Sequence, residues 1–529
     1  MKRAELLQSL AQASFDLVVV GGGASGLGVA LDAALRGFSV ALFDSHDFAG
    51  GTSSRSTKLL HGGVRYLAQG NVALVREALA ERSTVLSVAP HLAQPLPFVM
   101  PSYAWWQTPF YGIGLKLYDL MAGQAGLGST EFLDRQATLR ALPGVCDREL
   151  KGGVLYWDGQ FDDARLALAL ARSAEAAGAR VFNHLKVASV HALPDDQAAS
   201  PRFSLKVSDH FTGEQIEVTA GCVVNATGVW VDALRRQAAL PGQAPSQMVS
   251  PSQGVHVVVD QSFLPGRHAL LVPKTRDGRV LFAVPWLGKL ILGTTDTPRQ
   301  DLPREPEPFA DELRFILEEA ANVLQRPVQP GDVRSIWVGL RPLVAPPEQQ
   351  GGATKSISRE HTIVVDPNGL VTVTGGKWTT YRAMAEDVLD RCMASGLLLR
   401  RAGGRTARHR LYGAPDGTAV PVPLYEPPGL HLYGTAAADV LACPGADREL
   451  GMGLTEAMVR YAVRSEYACT VEDVLARRWR ALFLDARQAA DMAPSVARIL
   501  QEEGAPSPGL EAFLDLCRHY LPSSAFSRA

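Results

Sequence analysis

No Cys-x-x-Cys pair occurs in this chain, and no histidine lies at finger spacing from its cysteines. Six cysteines scattered singly through 529 residues argue against a disulfide framework or a zinc site, and for a reducing compartment. An excess of one charge is also missing. Lys plus Arg number 52 and Asp plus Glu 54, and a formal charge of -2 gives no footprint for nucleic acid. Long apolar runs are lacking too: no stretch offers the roughly 20 apolar residues of a spanning helix. The opening MKRAELLQSLAQASFD has no apolar core, which argues against a signal peptide. Repeats and low-complexity tracts are absent. What is present is 47% hydrophobic and 20% charged, an ordinary water-soluble composition, in a chain too long for one core. The expectation is a cytoplasmic protein of two or three domains, with peripheral membrane contact left open.

The strongest local pattern is VVVGGGASGLGVALDAALRGFSVALFD, Val18 to Asp44. An apolar, β-branched run reads as a buried parallel strand. Gly21, Gly23 and Gly26 follow in GxGxxG register, then a helix whose free N–H groups point at whatever the turn holds. A second strand ends at Asp44, about 20 residues on, where a carboxylate takes ribose hydroxyls. Strand, turn, helix, strand and acid in order predict dinucleotide binding. The turn alone does not separate a nicotinamide from a flavin.

Three further segments bear on that choice. AGGTSSRSTKLLHGGVRYL, Ala49 to Leu67, is dense in hydroxyls, glycines and cations where a plain crossover helix would otherwise stand. CVVNATGVWVD, Cys222 to Asp232, and VTVTGGKWTTYR, Val371 to Arg382, are strand ends with small residues, the place where open α/β sheets hold ligands.

Together with LILGTTDT, GLRPL and SISREHTIVV, these motifs resemble the FAD-dependent glycerol-3-phosphate dehydrogenases of the D-amino-acid oxidase and glycine oxidase superfamily. The resemblance runs from about residue 15 to about 389. It implies an α/β fold: a Rossmann-like FAD-binding domain with an antiparallel-sheet substrate domain. A C-terminal helical domain follows. On that reading residues 1–395 form the oxidoreductase region. FAD-binding segments at about 15–75, 150–245 and 335–395 interleave with substrate segments at about 76–149 and 246–334. Residues 396–430, rich in Arg, Gly and Pro, read as a linker, and 431–529 as the helical domain.

Carried over residue by residue, the resemblance implies that Gly21, Gly23, Ala24, Ser25 and Gly26 cradle the FAD pyrophosphate and Asp44 takes the ribose. Asp44 stands where the family usually has Glu, so its contact is longer or water-bridged. Thr52, Ser53, Ser54, Ser56, Lys58, Leu60, His61 and Gly62 would line the phosphates and isoalloxazine. Ala226, Thr227 and Gly228 would meet the cofactor again, and Gly376, Lys377, Trp378, Thr379 and Thr380 its pyrimidine end. Val229 and Trp378 depart from the family's usual Pro and Leu; Trp378 either crowds the ring or packs. No metal is implied.

The implied substrate, sn-glycerol 3-phosphate, carries a phosphate that must exchange water for cations, and the arginine fork binds phosphate oxygens in pairs. Arg65 with Tyr66 beside it, Arg341 and Arg359 stand in motifs that the family sets around the flavin. IWVGLRPLV is otherwise apolar, so Arg341 needs a partner. Oxidising a secondary alcohol also needs a base, and arginine is a poor one. His256, alternating with valines in SQGVHVVVD, suits it with an unperturbed pKa near 6.5. A satisfied core histidine would look the same. Lys377 would polarise the forming carbonyl or stabilise reduced flavin. Thr294, Thr295 and Asp296 would lie near the pocket.

The resemblance implies a quinone as acceptor, or oxygen in oxidase relatives. YAWWQTPFYGIGLKLYDLMAG, Tyr103 to Gly123, is apolar nearly all round and suits either packing or a membrane interface. That would place the protein on the inner face of the cytoplasmic membrane. Near the C-terminus, apolar residues fall three and four apart, with Thr455 and Thr470 as N-caps, the latter paired with Asp473. Packing, a homodimer contact or a partner contact would be its role. The rivals are an amine or amino-acid oxidase on the same fold, an NAD-dependent dehydrogenase, and a flavin-binding protein without turnover.

Overall fold

The structure, a computed structural model, describes residues 3–11, 13–62, 72–193, 202–344, 361–417 and 420–522. Its first sheet is built around Ser14–Val20, flanked in parallel by Val40–Phe43 and by Gln215–Asn225. Val371–Gly375 extends it in parallel beyond Gln215–Asn225. Leu17, Val18 and Val19 are fully buried, because helices and an antiparallel layer cover both faces. The helix Ala24–Leu35 packs between the helices Asp163–Ala176 and Tyr381–Ala394, so segments more than 300 residues apart close over one strand.

The second sheet has ten strands, nearly all antiparallel. Ser252–Asp260 lies between Lys289–Gly293 and Ser335–Arg341, which sets His256 opposite Gly293 on one side and Trp337 on the other. Sheet membership departs from the segment bounds read off the sequence. Gly152–Phe161 pairs along its whole length with Ala93–Ser102, and Leu59–Leu60 pairs with Gly152–Phe161. Leu59–Leu60, Gly152–Phe161 and Ser335–Arg341 belong to the second sheet, although they fall in segments expected at the cofactor; Ala93–Ser102 falls in a segment expected at the substrate. Their partners lie far off in sequence, where local periodicity carries no information.

The C-terminal body is helical, with Glu456–Ser465, Ala486–Glu502 and Leu510–His519 as its main helices. Thr455 accepts a hydrogen bond from the Met458 N–H. Thr470 and Asp473 cap each other reciprocally, Asp473 N–H to Thr470 Oγ1 at 3.1 Å and Thr470 N–H to Asp473 Oδ2 at 3.0 Å. This body shares one apolar core with the second sheet: Trp286 and Trp337 pack with Trp479 and Phe483. The segment 396–430 is stitched down on both sides. Leu411 N–H donates to the Val88 carbonyl, and Leu287 N–H to the Leu424 carbonyl.

Candidate active site

A cavity of about 1270 Å³ opens where Ser14–Val20, Gln215–Asn225 and Val371–Gly375 end, and it runs on beneath the second sheet. That space exceeds an ordinary small-ligand pocket of about 300–1,000 Å³ and suits a dinucleotide with a small substrate. At its first end Gly21, at φ +109°, makes the sharp turn. A Cβ there would sit 2.6 Å from the Ala226 carbonyl oxygen. Gly26 serves a different contact. Its Cβ would fall 1.9 Å from the Gly21 carbonyl oxygen, so its lack of one lets the helix close onto the turn. Gly23 is its N-cap and brings no side chain, and the Ala24 N–H donates to the Ser53 hydroxyl at 3.0 Å; the first-turn amides beyond it suit an anion.

Gly21, Gly23, Ala24, Ser25 and Asp44 line the cavity, as do Thr52, Ser53, Ser56 and His61. Ala226, Thr227 and Gly228 line it from the second strand end, and Gly376, Lys377, Trp378 and Thr379 from the third. Asp44 is pinned by the N–H groups of Gly22 at 2.6 Å and His46 at 2.9 Å, and burial pushes its carboxyl up to about 6. The Trp378 indole N–H donates to the Ser53 carbonyl at 2.8 Å, so this departure from the family packs against the hydroxyl-rich loop. The donors, the carboxylate and the space fit FAD.

Gly26, Ser54, Lys58, Leu60, Gly62 and Thr380 do not line the cavity. Leu60 is core in a two-residue strand, the Gly62 N–H donates to the Tyr118 hydroxyl, and Thr380 donates to the Lys377 carbonyl. Ser54 and Lys58 lie behind the loop. Lys58 Nζ is fully buried and donates to the Ser54 carbonyl at 2.8 Å and Asp163 Oδ2 at 2.7 Å.

The far end holds Arg341 and His256. Arg341 donates to the Gln253 carbonyl, Asp296 Oδ1 and Thr294 Oγ1, each at 3.2 Å, and to the Thr295 carbonyl at 2.9 Å. Asp296 is the partner that an arginine in an apolar strand requires. His256 is 2% exposed, bonded through Nε2 to Thr57 Oγ1 at 2.9 Å and stacked on Trp337 at 5.2 Å. Its pKa is not near 6.5. Burial first, then the charges of Lys58 and Arg341, hold it well below that value, so the imidazole is neutral. Arg65, Tyr66 and Arg359 lie outside the described residues.

Sequence reasoning missed Thr57 and Gly254. A Cβ on Gly254 would lie 2.2 Å from Arg341 Nη2. The signal was there: a glycine within a strand marks a close approach. Thr57 gave none, since its partner is 199 residues away.

The family model for FAD dependent oxidoreductases matches residues 16–390, and that for the C-terminal domain of alpha-glycerophosphate oxidase matches 430–506. The mitochondrial glycerol-3-phosphate dehydrogenase of Homo sapiens is 40% identical over 533 residues, covering 95% of this chain and 72% of the relative. The chain belongs to the FAD-dependent glycerol-3-phosphate dehydrogenase family. The Arabidopsis thaliana mitochondrial member is 38% identical, over 94% of this chain and 84% of its own. A solved family member, from Bacillus halodurans and complexed with FAD, is 28% identical with a TM-score of 0.77 and 98% of both chains covered. Membership in this family sets the NAD-dependent reading aside.

Proposed function

We propose that this protein oxidises sn-glycerol 3-phosphate to dihydroxyacetone phosphate and passes the electrons to a membrane quinone. The observation that carries the reading is one continuous cavity with a dinucleotide cradle at one end and Arg341 and His256 at the other. When bound, FAD supplies the acceptor for the hydride leaving carbon 2. Arg341, kept in place by Asp296 and Thr294, binds phosphate oxygens; Arg65, Tyr66 and Arg359 are assigned to the same anion on the family resemblance. The neutral His256 takes the proton of the 2-hydroxyl: the O–H bond breaks and an N–H bond forms on the ring. Lys377, lining the same cavity, stabilises negative charge that develops during the reaction.

The acceptor and the location rest on the helix Gln107–Ala122. Its buried side is narrow: Gly112, Leu115, Tyr118 and Ala122. Outside it stand Phe110, Ile113 and Leu120, 65%, 69% and 78% exposed, with Trp105 and Trp106 just before the helix. Such a contiguous apolar and aromatic face suits the boundary of a lipid leaflet. Among the described residues no helix is long and apolar enough to cross a membrane; the reading we adopt is a peripheral contact on the inner face of the cytoplasmic membrane. Anaerobic mixing of the yellow holoenzyme with glycerol 3-phosphate should bleach the flavin, and a soluble ubiquinone analogue should restore the colour. A flavin that stays yellow overturns the substrate; colour restored by air alone overturns the quinone.

A further inference from the structure

Two cations reach the same buried spot behind the active-site loop from opposite ends of the chain. Lys58 and Arg480 both have left-handed backbone, each at φ 64°. That conformation costs a non-glycine residue of order 1 kcal/mol and persists where surroundings impose it. Both side chains are wholly buried. Arg480, from the C-terminal helical body, donates to the Ser54 carbonyl at 2.7 Å and pairs with Asp163 at 3.3 Å and Asp162 at 3.9 Å. Lys58 takes the other oxygen of Asp163, which also accepts from the Ser56 hydroxyl at 2.7 Å. Trp286, Trp337 and Phe483 surround the ammonium at 5.2 to 5.4 Å.

The spot adjoins His256 along two routes. Thr57, next to Lys58 in the chain, bonds His256 Nε2. Trp337, which the ammonium approaches, is the ring on which His256 stacks. Gly293 backs the imidazole, since a Cβ there would stand 2.6 Å from His256 Cδ2. The charged groups acting on His256 are Lys58 and Arg341, both cationic; those facing Lys58 are Asp163, Asp162 and Arg480.

We propose that Lys58, clamped by Asp163 and by Arg480 of the C-terminal body, is a positioning residue that keeps His256 neutral and oriented to accept the substrate's proton. The inference rests on the proposed role of His256. Burial lowers Lys58 to about 7, so it is charged throughout the acid range in which His256 would take up a proton in the free enzyme. The helical body, which carries no residue expected to touch substrate, would thereby reach the chemistry through one arginine.

The test is the pH dependence of kcat/KM for glycerol 3-phosphate, with a dye acceptor, in FAD-loaded wild type, Lys58→Met, Lys58→Arg and His256→Asn. The acid limb should move up by about one pH unit in K58M. It should stay in place in K58R and vanish in H256N. Should K58M fail to fold, Lys58→Gln, which removes the charge but keeps an N–H donor for Asp163, carries the same expectation. A limb that stays in place while K58M slows equally at every pH overturns the proposal and leaves His256 its role. A limb retained in H256N overturns the role of His256, and this inference with it.

Discussion

The Arg341 guanidinium occupies the space that a side chain on Gly254 would fill, 2.2 Å from the position of its Cβ. Gly254→Ala should therefore push the fork out of line with the phosphate. KM for glycerol 3-phosphate should rise about tenfold or more, with the flavin spectrum unchanged. Arg341→Lys, which keeps the charge but loses the fork, should do at least as much. An unaltered KM in both would remove Arg341 from the phosphate site.

Asp44 carries a cost that its ligand offsets. Its folded-state pKa, about 6, lies above the ordinary 3.8, so the folded protein resists ionising it. That penalty grows as pH rises from about 4 to about 6 and is complete at about pH 7, with an upper bound of about 3 kcal/mol. In the FAD-free protein, Asp44→Asn should gain stability relative to wild type over that window, while its FAD affinity falls. Thermal unfolding of both apoproteins between about pH 4 and about pH 7 measures it; a difference that does not change with pH contradicts it.

Arg165 of the helix Asp163–Ala176 meets Glu466 of the C-terminal body at 2.8 Å, both about 6% exposed, with the guanidinium over Tyr433. Glu466→Gln strands a buried cation. Breaking such a pair costs about 3 kcal/mol, to be read from urea unfolding. Loss below about 1 kcal/mol, the range of a solvated pair, would mean that water reaches Arg165.

The exposed side of Gln107–Ala122 supports a separable defect. Phe110, Ile113 and Leu120 changed together to serine should abolish flotation with anionic-lipid vesicles. Turnover with a soluble dye should stay within about twofold, because none of the three lines the cavity. Vesicle binding at wild-type strength would assign this face to another partner.

The first cofactor turn was legible because its elements are close together: strand, glycines, helix and Asp44 fall within a few tens of residues. The Thr470–Asp473 cap was legible for the same reason, and Arg341 announced its need for a partner by its apolar neighbours. Lys58 misled. In TSSRSTKLL it looks like one more cavity cation, yet its left-handed backbone breaks the strand alternation and its ammonium ends behind the loop. His256 was readable as a strand residue and a candidate base, but not as a neutral one, since Lys58 and Arg341 reach it from other segments.

The dinucleotide cradle, the acid at the second strand and the capped C-terminal helices follow from local pattern, because glycine geometry, strand burial and capping act over one or two turns of chain. Which cations face the cavity and which stand behind its loop depends on long-range packing. Lys58 finds Asp163 across 105 residues, and Arg480 finds the Ser54 carbonyl across 426. A charge taken out of water must be met by whatever the fold brings beside it, and local spacing does not encode that neighbour.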